Sequence, residues 1–565
     1  MRDSRKKNKK IAYSICAIVL VVAVVLASAI THNNAKAAEG EEIRFFIDSA
    51  MMADATRRCK TEAIYKTEYF SKSGTEYNNG LAILSASLAL ASASTSESYA
   101  TLYGSEMVDV AYTDYGDVDP YTARNANMVK AYQDMGFEKD VYFKYTTPLN
   151  DKSDTVAYAM ATKKIKISGK SYNLVNVTVR SGSYGAEWGS NFMLSNEKGY
   201  TGFQNASIEL YDNLKKYLTK NKLNKSNTKV WIAGLSRGGA IANLAGASLD
   251  RACEDKVLNI NKANVYVYTC ATPHCIYDDK TYDMHSSLYD NIHNVVINTD
   301  IVPTTITSAW GYDRYGKVYT IESPHISGKD LERIEKGKKV DIDEDTVELV
   351  KNISRTVNEC LYYYEDDYDM NKLYPGFTVK KDFAEAVDIA FGVFGDKTQD
   401  YVDRWQNVVT DMIPFAIGMT KKYDSEEKVW KTYDSIAEYI SLNYDEGCIK
   451  NAIDAGVFSQ TEYISNMDKI DKIYKKGTVN EEAYRILVKA LDTYYGIKIL
   501  AIHYDIDVEM IAEAVNRAVD RAWPMIQRCL PIGDTLNFKY NHYGEFYLSW
   551  LKCYNPATKE VYEYK

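Results

Sequence analysis

Residues 229–246 read KVWIAGLSRGGAIANLAG, and this stretch decides which fold the chain can adopt. The apolar run TKVWIAG, which begins at Thr228, is typical of a short strand that is buried on both faces. From Arg237 onward, small residues recur at helical spacing and predict a helix that lies close to the neighbouring sheet. A strand, a tight glycine-rich turn and a helix in this order are typical of an α/β layer fold.

The turn between the predicted strand and helix, Gly234-Leu235-Ser236-Arg237-Gly238, fits the pattern G-x-S-x-G. A serine at this place must adopt a strained backbone conformation to point its hydroxyl out of the sheet. Side chains two residues away on either side would clash in so tight a turn, which accounts for the glycines at 234 and 238. The turn therefore predicts a nucleophile elbow with Ser236 as the nucleophile. A purely structural glycine-rich connection is the alternative.

A nucleophilic serine requires a histidine as base and a carboxylate that orients it, and folds with this elbow carry them in the chain order Ser, acid, His. The acid candidate is Asp300 in NVVINTDIVPT, directly after a predicted strand. The carboxyl edge of a parallel sheet is where such sites assemble. A turn-forming aspartate before Pro303 is the alternative interpretation.

Few residues can be the base, because the chain has only seven histidines. We predict His542, in LNFKYNHYGEFYLSWL near the C-terminus, as the base of Ser236. His325, in IESPHISG, is its rival. His503 lies inside a helical pattern and is interpreted as an ordinary packed or surface histidine.

Several segments, taken in chain order, resemble the class 3 lipase family of α/β-hydrolases and its bacterial, exported members. They are VTVRSGSYGAEWGSNF, GYTGFQNA, AGLSRGGAIANL, YTCATP, NTDIVPT and HYGEFYLSWL. The resemblance covers about residues 140–325 and 535–555. Leu235 and Arg237 stand where the family often has His and Leu, and neither of these side chains performs the chemistry.

The resemblance implies a serine lipase or esterase that hydrolyses lipid or related carboxylic esters through an acyl-enzyme. Ser236, Asp300 and His542 would form the catalytic triad. The amide of Arg237, with one from Ser181–Gly182, would form the oxyanion hole. No metal and no cofactor is implied. A thioesterase or peptidase with the same triad, or a non-catalytic envelope binding or adhesion module on the same fold, are the alternatives.

The order of strand-like and helix-like segments along the chain predicts a mainly parallel, α/β-hydrolase-like sheet with flanking helices and a large, mostly helical insertion. The helical stripe RWQNVVTDMIPFAIGM in that insertion favours core packing over membrane contact. The predicted regions are an N-terminal signal peptide or anchor at 1–38, a mostly helical region at 39–140, the core at 141–325, the insertion and candidate lid or cap at 326–534, and a C-terminal return to the core at 535–565.

The N-terminal region predicts export. Residues 1–38 hold seven Lys or Arg and one Asp, a net charge of +6. The formal net charge of the whole chain is −9, so the residues after 38 carry a net charge of −15. So acidic a remainder excludes a nucleic-acid partner. The uncharged run IAYSICAIVLVVAVVLASAI predicts a cleaved signal peptide or, since it is long enough to span a bilayer, an uncleaved membrane anchor. Either one predicts an extracellular location or the outer face of the cell membrane.

Overall fold

The computed structural model describes most of the chain from residue 40 onward. The described residues are 40–50, 58–92, 128–138, 142–144, 156–181, 191, 202–277, 283–362, 375–392, single positions between 404 and 415, 421–424, 429–445, 447–479, 481–529 and 536–562. The predicted signal peptide or anchor at 1–38 and the oxyanion candidate Gly182 lie outside them. Among the described residues, none forms a helix that is both long and apolar enough to cross a membrane.

The strands are β1 (Glu42–Ala50), β2 (Arg58–Lys66), β3 (Tyr142–Lys144), β4 (Tyr158–Ile167), β5 (Lys170–Val179), β6 (Thr228–Leu235), β7 (Val265–Cys270), β8 (Ile276–Tyr277), β9 (Ile292–Ile297), β10 (Tyr312–Asp313), β11 (Lys317–Ile321), β12 (Leu361–Tyr362), β13 (Lys421–Asp424), β14 (Val429–Thr432), β15 (Tyr554–Asn555) and β16 (Glu560–Val561).

The helices are α1 (Asn79–Ala91), α2 (Gln204–Lys220), α3 (Arg237–Glu254), α4 (Val302–Thr305), α5 (Gly328–Glu335), α6 (Glu344–Cys360), α7 (Lys381–Gly392), α8 (Ile436–Asn443), α9 (Gly447–Asp454), α10 (Gln460–Lys475), α11 (Glu481–His503), α12 (Val508–Cys529) and α13 (Gly544–Cys553).

The central sheet has the strand order β11-β9-β7-β6-β5-β4-β3 within the described part of the chain. The strands from β5 to β11 in this order pair in parallel, whereas β4 and β3 continue the sheet antiparallel. The prediction of a mainly parallel sheet flanked by helices is therefore confirmed. The chain reverses between β4 and β5 through a tight turn, so these two strands cannot be parallel.

Strand β6 is buried along its whole length, as its continuous apolar run predicts. Helices α2 and α3 pack on one face of the sheet, and α1 and α13 pack on the other. Asn78 caps α1 by accepting a hydrogen bond from the amide of Leu81 at 3.0 Å. Trp231 of β6 donates its indole N–H to Ser85 Oγ of α1 at 2.9 Å, which fixes the helix against the strand.

Strands β1 and β2 form an antiparallel hairpin inside the region that we predicted as mostly helical, 39–140. On β1, Phe45 and Ile47 are buried while Arg44 and Phe46 are exposed, which is the alternation of a half-buried strand. The run Phe45-Phe46-Ile47 hides this alternation, because consecutive apolar residues fit a helix and a strand equally well. The described part of this region is therefore a hairpin followed by a helix.

The region predicted as a helical insertion, 326–534, does not separate cleanly from the core. Helices α5 and α6 bury Leu331, Val350 and Val357 in the same apolar cluster as Trp550 of α13. Strand β12 also extends the β1–β2 hairpin. In the later part, the described stripe residues pack into the apolar core, as the sequence favoured; they are Trp405, Val408, Met412 and Phe415.

Candidate active site

Ser236 lies at the turn between β6 and α3 with φ of +55° and ψ of −126°. This left-handed conformation is rare for a residue with a side chain and costs on the order of 1–3 kcal/mol. Its amide donates to Cys270 O of β7 at 2.9 Å, which ties the turn to the neighbouring strand. The structure therefore forms the strained strand-to-helix turn that the G-x-S-x-G pattern predicts.

The two glycines of this turn are required by close backbone contacts. A Cβ atom on Gly234 would lie 2.3 Å from the carbonyl oxygen of Gly238, and one on Gly238 would lie 2.5 Å from Arg180 O. Such distances are far below van der Waals contact, so an alanine at either place would force the backbone to move. The second contact also shows that the end of β5 runs against the start of α3.

His542 is the histidine that reaches Ser236. It ends the 3-10 helix Leu536–His542, just before α13, and its Nε2 lies 2.9 Å from Ser236 Oγ. Its Nδ1 lies 3.0 Å from Asp300 Oδ2. The side chain of His542 is 12% exposed and that of Asp300 is fully buried. The structure thus brings the predicted nucleophile, base and acid into one hydrogen-bonded chain.

Asp300 lies in the turn that follows β9, and its carboxylate is held from three sides. Oδ1 accepts from the amide of Val302 at 3.0 Å, while Oδ2 accepts from His542 and from the hydroxyl of Tyr547 at 2.8 Å. A carboxylate can only accept hydrogen bonds, so His542 carries its proton on Nδ1 and donates a hydrogen bond from there to Asp300. Nε2 of His542 is then the free acceptor that faces the Ser236 hydroxyl.

Tyr547 is a site residue that the sequence analysis missed. It lies in α13, is fully buried, and its oxygen also accepts from the amide of Ile297 at 3.1 Å. Burial raises the pKa of Tyr547 well above its ordinary value, so the hydroxyl stays protonated and donates to Asp300. The signal available in the sequence is weak: Tyr547 follows His542 by five residues in an aromatic-rich segment.

We expect Tyr547→Phe to lower the free energy of unfolding by about 1–3 kcal/mol, because the buried amide of Ile297 loses its acceptor. Asp300 Oδ2 also loses the hydroxyl donor that holds it at 2.8 Å, so the imidazole of His542 is positioned less firmly and kcat for ester hydrolysis should fall. Chemical denaturation and ester hydrolysis measure the two effects, with Tyr543→Phe as the control. An unchanged kcat would contradict this role of Tyr547.

The other described histidines have different partners. His293 is buried between Gly74 O and Tyr319, and burial lowers its pKa to about 4. His503 lies at the end of α11, is exposed and contacts Cys448 Sγ at 3.2 Å, consistent with its interpretation as an ordinary packed or surface histidine. His325, the rival base, is exposed. His542 is therefore the histidine that the fold places against Ser236.

Arg237, whose amide we predict in the oxyanion hole, is the first residue of α3. Amides in the first turn of a helix point beyond its N-terminus, toward the place where an oxyanion would form at Ser236. The side chain of Arg237 is buried, donates to Asn191 Oδ1 at 2.7 Å and stacks over Phe203. Ser181, the other described oxyanion candidate, is half-buried just after β5.

The described residues include no group of three or more His, Cys, Asp or Glu side chains placed to hold a metal ion.

The middle of the chain is similar to a known protein family: residues 169–309 match the family Lipase (class 3). The matched segment contains Ser236 and Asp300, as well as the elbow glycines and the oxyanion candidates, but ends well before His542. No curated protein sequence is significantly similar to the chain.

Solved fungal lipases are also similar to part of the chain. The native Rhizomucor miehei lipase propeptide complex aligns at 19% identity with a TM-score of 0.24, over 32% of this chain and 57% of that one. The lipase from Rhizopus microsporus var. chinensis aligns at 20% identity with a TM-score of 0.24, over 33% and 63%. The chain thus spans little more than half the length of the first of these lipases.

Proposed function

We propose that this protein is a serine hydrolase that cleaves carboxylic esters of lipids or related compounds. The observation that carries the proposal is the hydrogen-bonded series Ser236 Oγ, His542 Nε2 at 2.9 Å, His542 Nδ1 and Asp300 Oδ2 at 3.0 Å. The strained elbow at Ser236 and the class 3 lipase match over residues 169–309 support it.

In this proposal Ser236 Oγ attacks the ester carbonyl carbon while His542 Nε2 takes the hydroxyl proton. Asp300 holds the imidazole in the required tautomer and stabilises the imidazolium that forms. The carbonyl oxygen becomes an oxyanion, which the amide of Arg237 and an amide of the Ser181–Gly182 segment stabilise.

The proton on His542 then passes to the leaving alkoxide, and the acyl group remains on Ser236. Water attacks this acyl-enzyme with His542 again as base, the carboxylic acid leaves, and the serine hydroxyl is restored. Every proton in the cycle moves through Nε2 of His542, so the imidazole must be neutral when the serine or the water attacks and protonated when the leaving group departs.

We also propose that the protein is exported. The support is the basic and then apolar segment at 1–38, which fits a signal peptide or an anchor with its basic end inside the cell. The substrate would then be an ester outside the cell or at the outer face of its membrane. Of the region 326–534, helices α7 to α12 remain the candidate for a cap over the acyl pocket.

The experiment that tests the proposed function is labelling of the purified protein with a fluorophosphonate, followed by mass-spectrometric mapping of the modified residue. We expect one phosphonylated peptide, with the adduct on Ser236, since this probe reacts with serines that a histidine activates. Ser236→Ala, as the matched control, should abolish the adduct. A wild-type protein that is folded but not labelled would contradict the proposal and favour a non-catalytic binding module.

A further inference from the structure

Arg314 lies between β10 and β11 and is a buried cation, with only 4% of its surface exposed. Its Nη1 donates to Thr272 O at 2.7 Å, and its Nη2 donates to Pro303 O at 2.8 Å. A planar guanidinium can direct two parallel donors at two acceptors at once, which an ammonium group cannot do with the same geometry. Arg314 therefore joins two separate loops of the backbone.

The first of these loops supports the nucleophile. Thr272 follows β7, whose last residue, Cys270, accepts the amide hydrogen bond of Ser236 at 2.9 Å. Between them, Ala271 has φ of +53°, a conformation that a non-glycine residue keeps only when its surroundings hold it. A Cβ atom on Gly239 would lie 2.5 Å from Thr272 Oγ1, so this loop also packs directly against the start of α3.

The second loop carries the acid. Pro303 is three residues after Asp300, in the turn where the amide of Val302 donates to Asp300 Oδ1 at 3.0 Å. One side of this turn is open, because a cavity of about 260 Å³ is lined by Asp300, Pro303 and Arg314 together with His274 and Asp313. Packing does not fill that side, so the position of the turn depends on its hydrogen bonds.

We infer that Arg314 is a positioning residue for the ester hydrolysis proposed above, because it clamps the acid turn of Asp300 to the loop that supports Ser236. The inference rests on the proposed function. His542 spans the gap between the two loops, with one nitrogen on each side, and can do so only while the gap keeps its width. Arg314 sets that width through its hydrogen bonds to the carbonyl oxygens of Thr272 and Pro303.

The test compares Arg314→Met, Arg314→Lys and the control Arg251→Met in the full chain. Arg251 is a half-buried arginine of α3 whose guanidinium donates to Tyr289 Oη and Ser248 Oγ and lies 5.5 Å from the ring centre of Tyr315. The measurements are kcat and KM with a short p-nitrophenyl ester and the rate of fluorophosphonate labelling at Ser236.

We expect Arg314→Met to lower kcat and the labelling rate by about 100-fold, with KM changed by less than about threefold, since a displacement of about 1 Å has this effect. Arg314→Lys keeps the charge and one of the two hydrogen bonds, so we expect it to recover about tenfold of the lost kcat. Arg251→Met should retain wild-type kinetics.

Wild-type kcat in Arg314→Met, with wild-type labelling at Ser236, would overturn the inference and leave the proposed function standing. If Arg314→Met does not fold, Arg314→Lys decides, since a wild-type kcat in that variant would overturn the clamp. A loss of kcat equal in Arg251→Met and Arg314→Met would also overturn it, by assigning the effect to general stability. Absence of labelling in the wild-type protein would overturn the proposed function and the inference together.

Discussion

Ser236→Ala is expected to lower kcat/KM for short p-nitrophenyl esters by about 10⁶-fold, the order of the loss when the nucleophile of another serine hydrolase is removed. The reason is that Ser236 Oγ is the atom that His542 Nε2 faces at 2.9 Å. The fold should persist, because the turn is tied to Cys270 O through the backbone amide and the Ser236 side chain does not cap α3. Steady-state kinetics and thermal unfolding measure the two parts.

Ser248→Ala is the matched control for this substitution. Ser248 lies on the same helix, half-buried, and its hydroxyl donates to Leu244 O at 3.1 Å. Its removal should leave kcat/KM within about threefold of the wild type, as for a substitution away from the reacting atoms. A folded Ser236→Ala protein with more than about 1% of wild-type activity would assign the nucleophile to another residue.

His542→Ala is expected to lower kcat/KM by about 10⁴-fold or more, because the serine loses the base that takes its proton and the buried carboxylate of Asp300 loses its donor. The substitution removes both hydrogen bonds of the imidazole, at 2.9 Å to Ser236 and at 3.0 Å to Asp300. Labelling of Ser236 by the fluorophosphonate should slow in proportion. Ester hydrolysis and labelling rates at pH 8 test both expectations.

The decisive control for the base is His325→Ala. His325 is exposed, and it is the histidine that the sequence leaves as the rival of His542. Its removal should leave the rate of ester hydrolysis and the labelling rate within about twofold of the wild type. Loss of activity in His325→Ala alone, with His542→Ala active, would reverse the assignment of the base.

The part of the fold that was predicted correctly depends on local patterns. The apolar run of β6 and the small residues of α3 each indicate their element without reference to distant parts of the chain. The β1–β2 hairpin was missed because Phe45-Phe46-Ile47 gives no clear period. The packing of α6 against α13 was missed because an apolar helix face does not reveal its partner.

Sequence alone determined the elbow at Ser236. Gly234 and Gly238 lie two residues from the serine on either side. A side chain on Gly234 would meet the backbone of Gly238, and one on Gly238 would meet the backbone of Arg180 at the end of the adjoining strand. Because a side chain at either position would clash with nearby backbone, only glycine fits there, and the G-x-S-x-G pattern could be interpreted without the rest of the fold.

Only the tertiary structure decided which residues surround that serine. His542 is 306 residues from Ser236 along the chain and 242 from Asp300, and its approach depends on how α5–α13 pack. Tyr547 and Arg314 act at the site through buried hydrogen bonds to Asp300 and to two backbone carbonyls. A carbonyl accepts from any donor that folding brings near, so such contacts leave no pattern in the sequence.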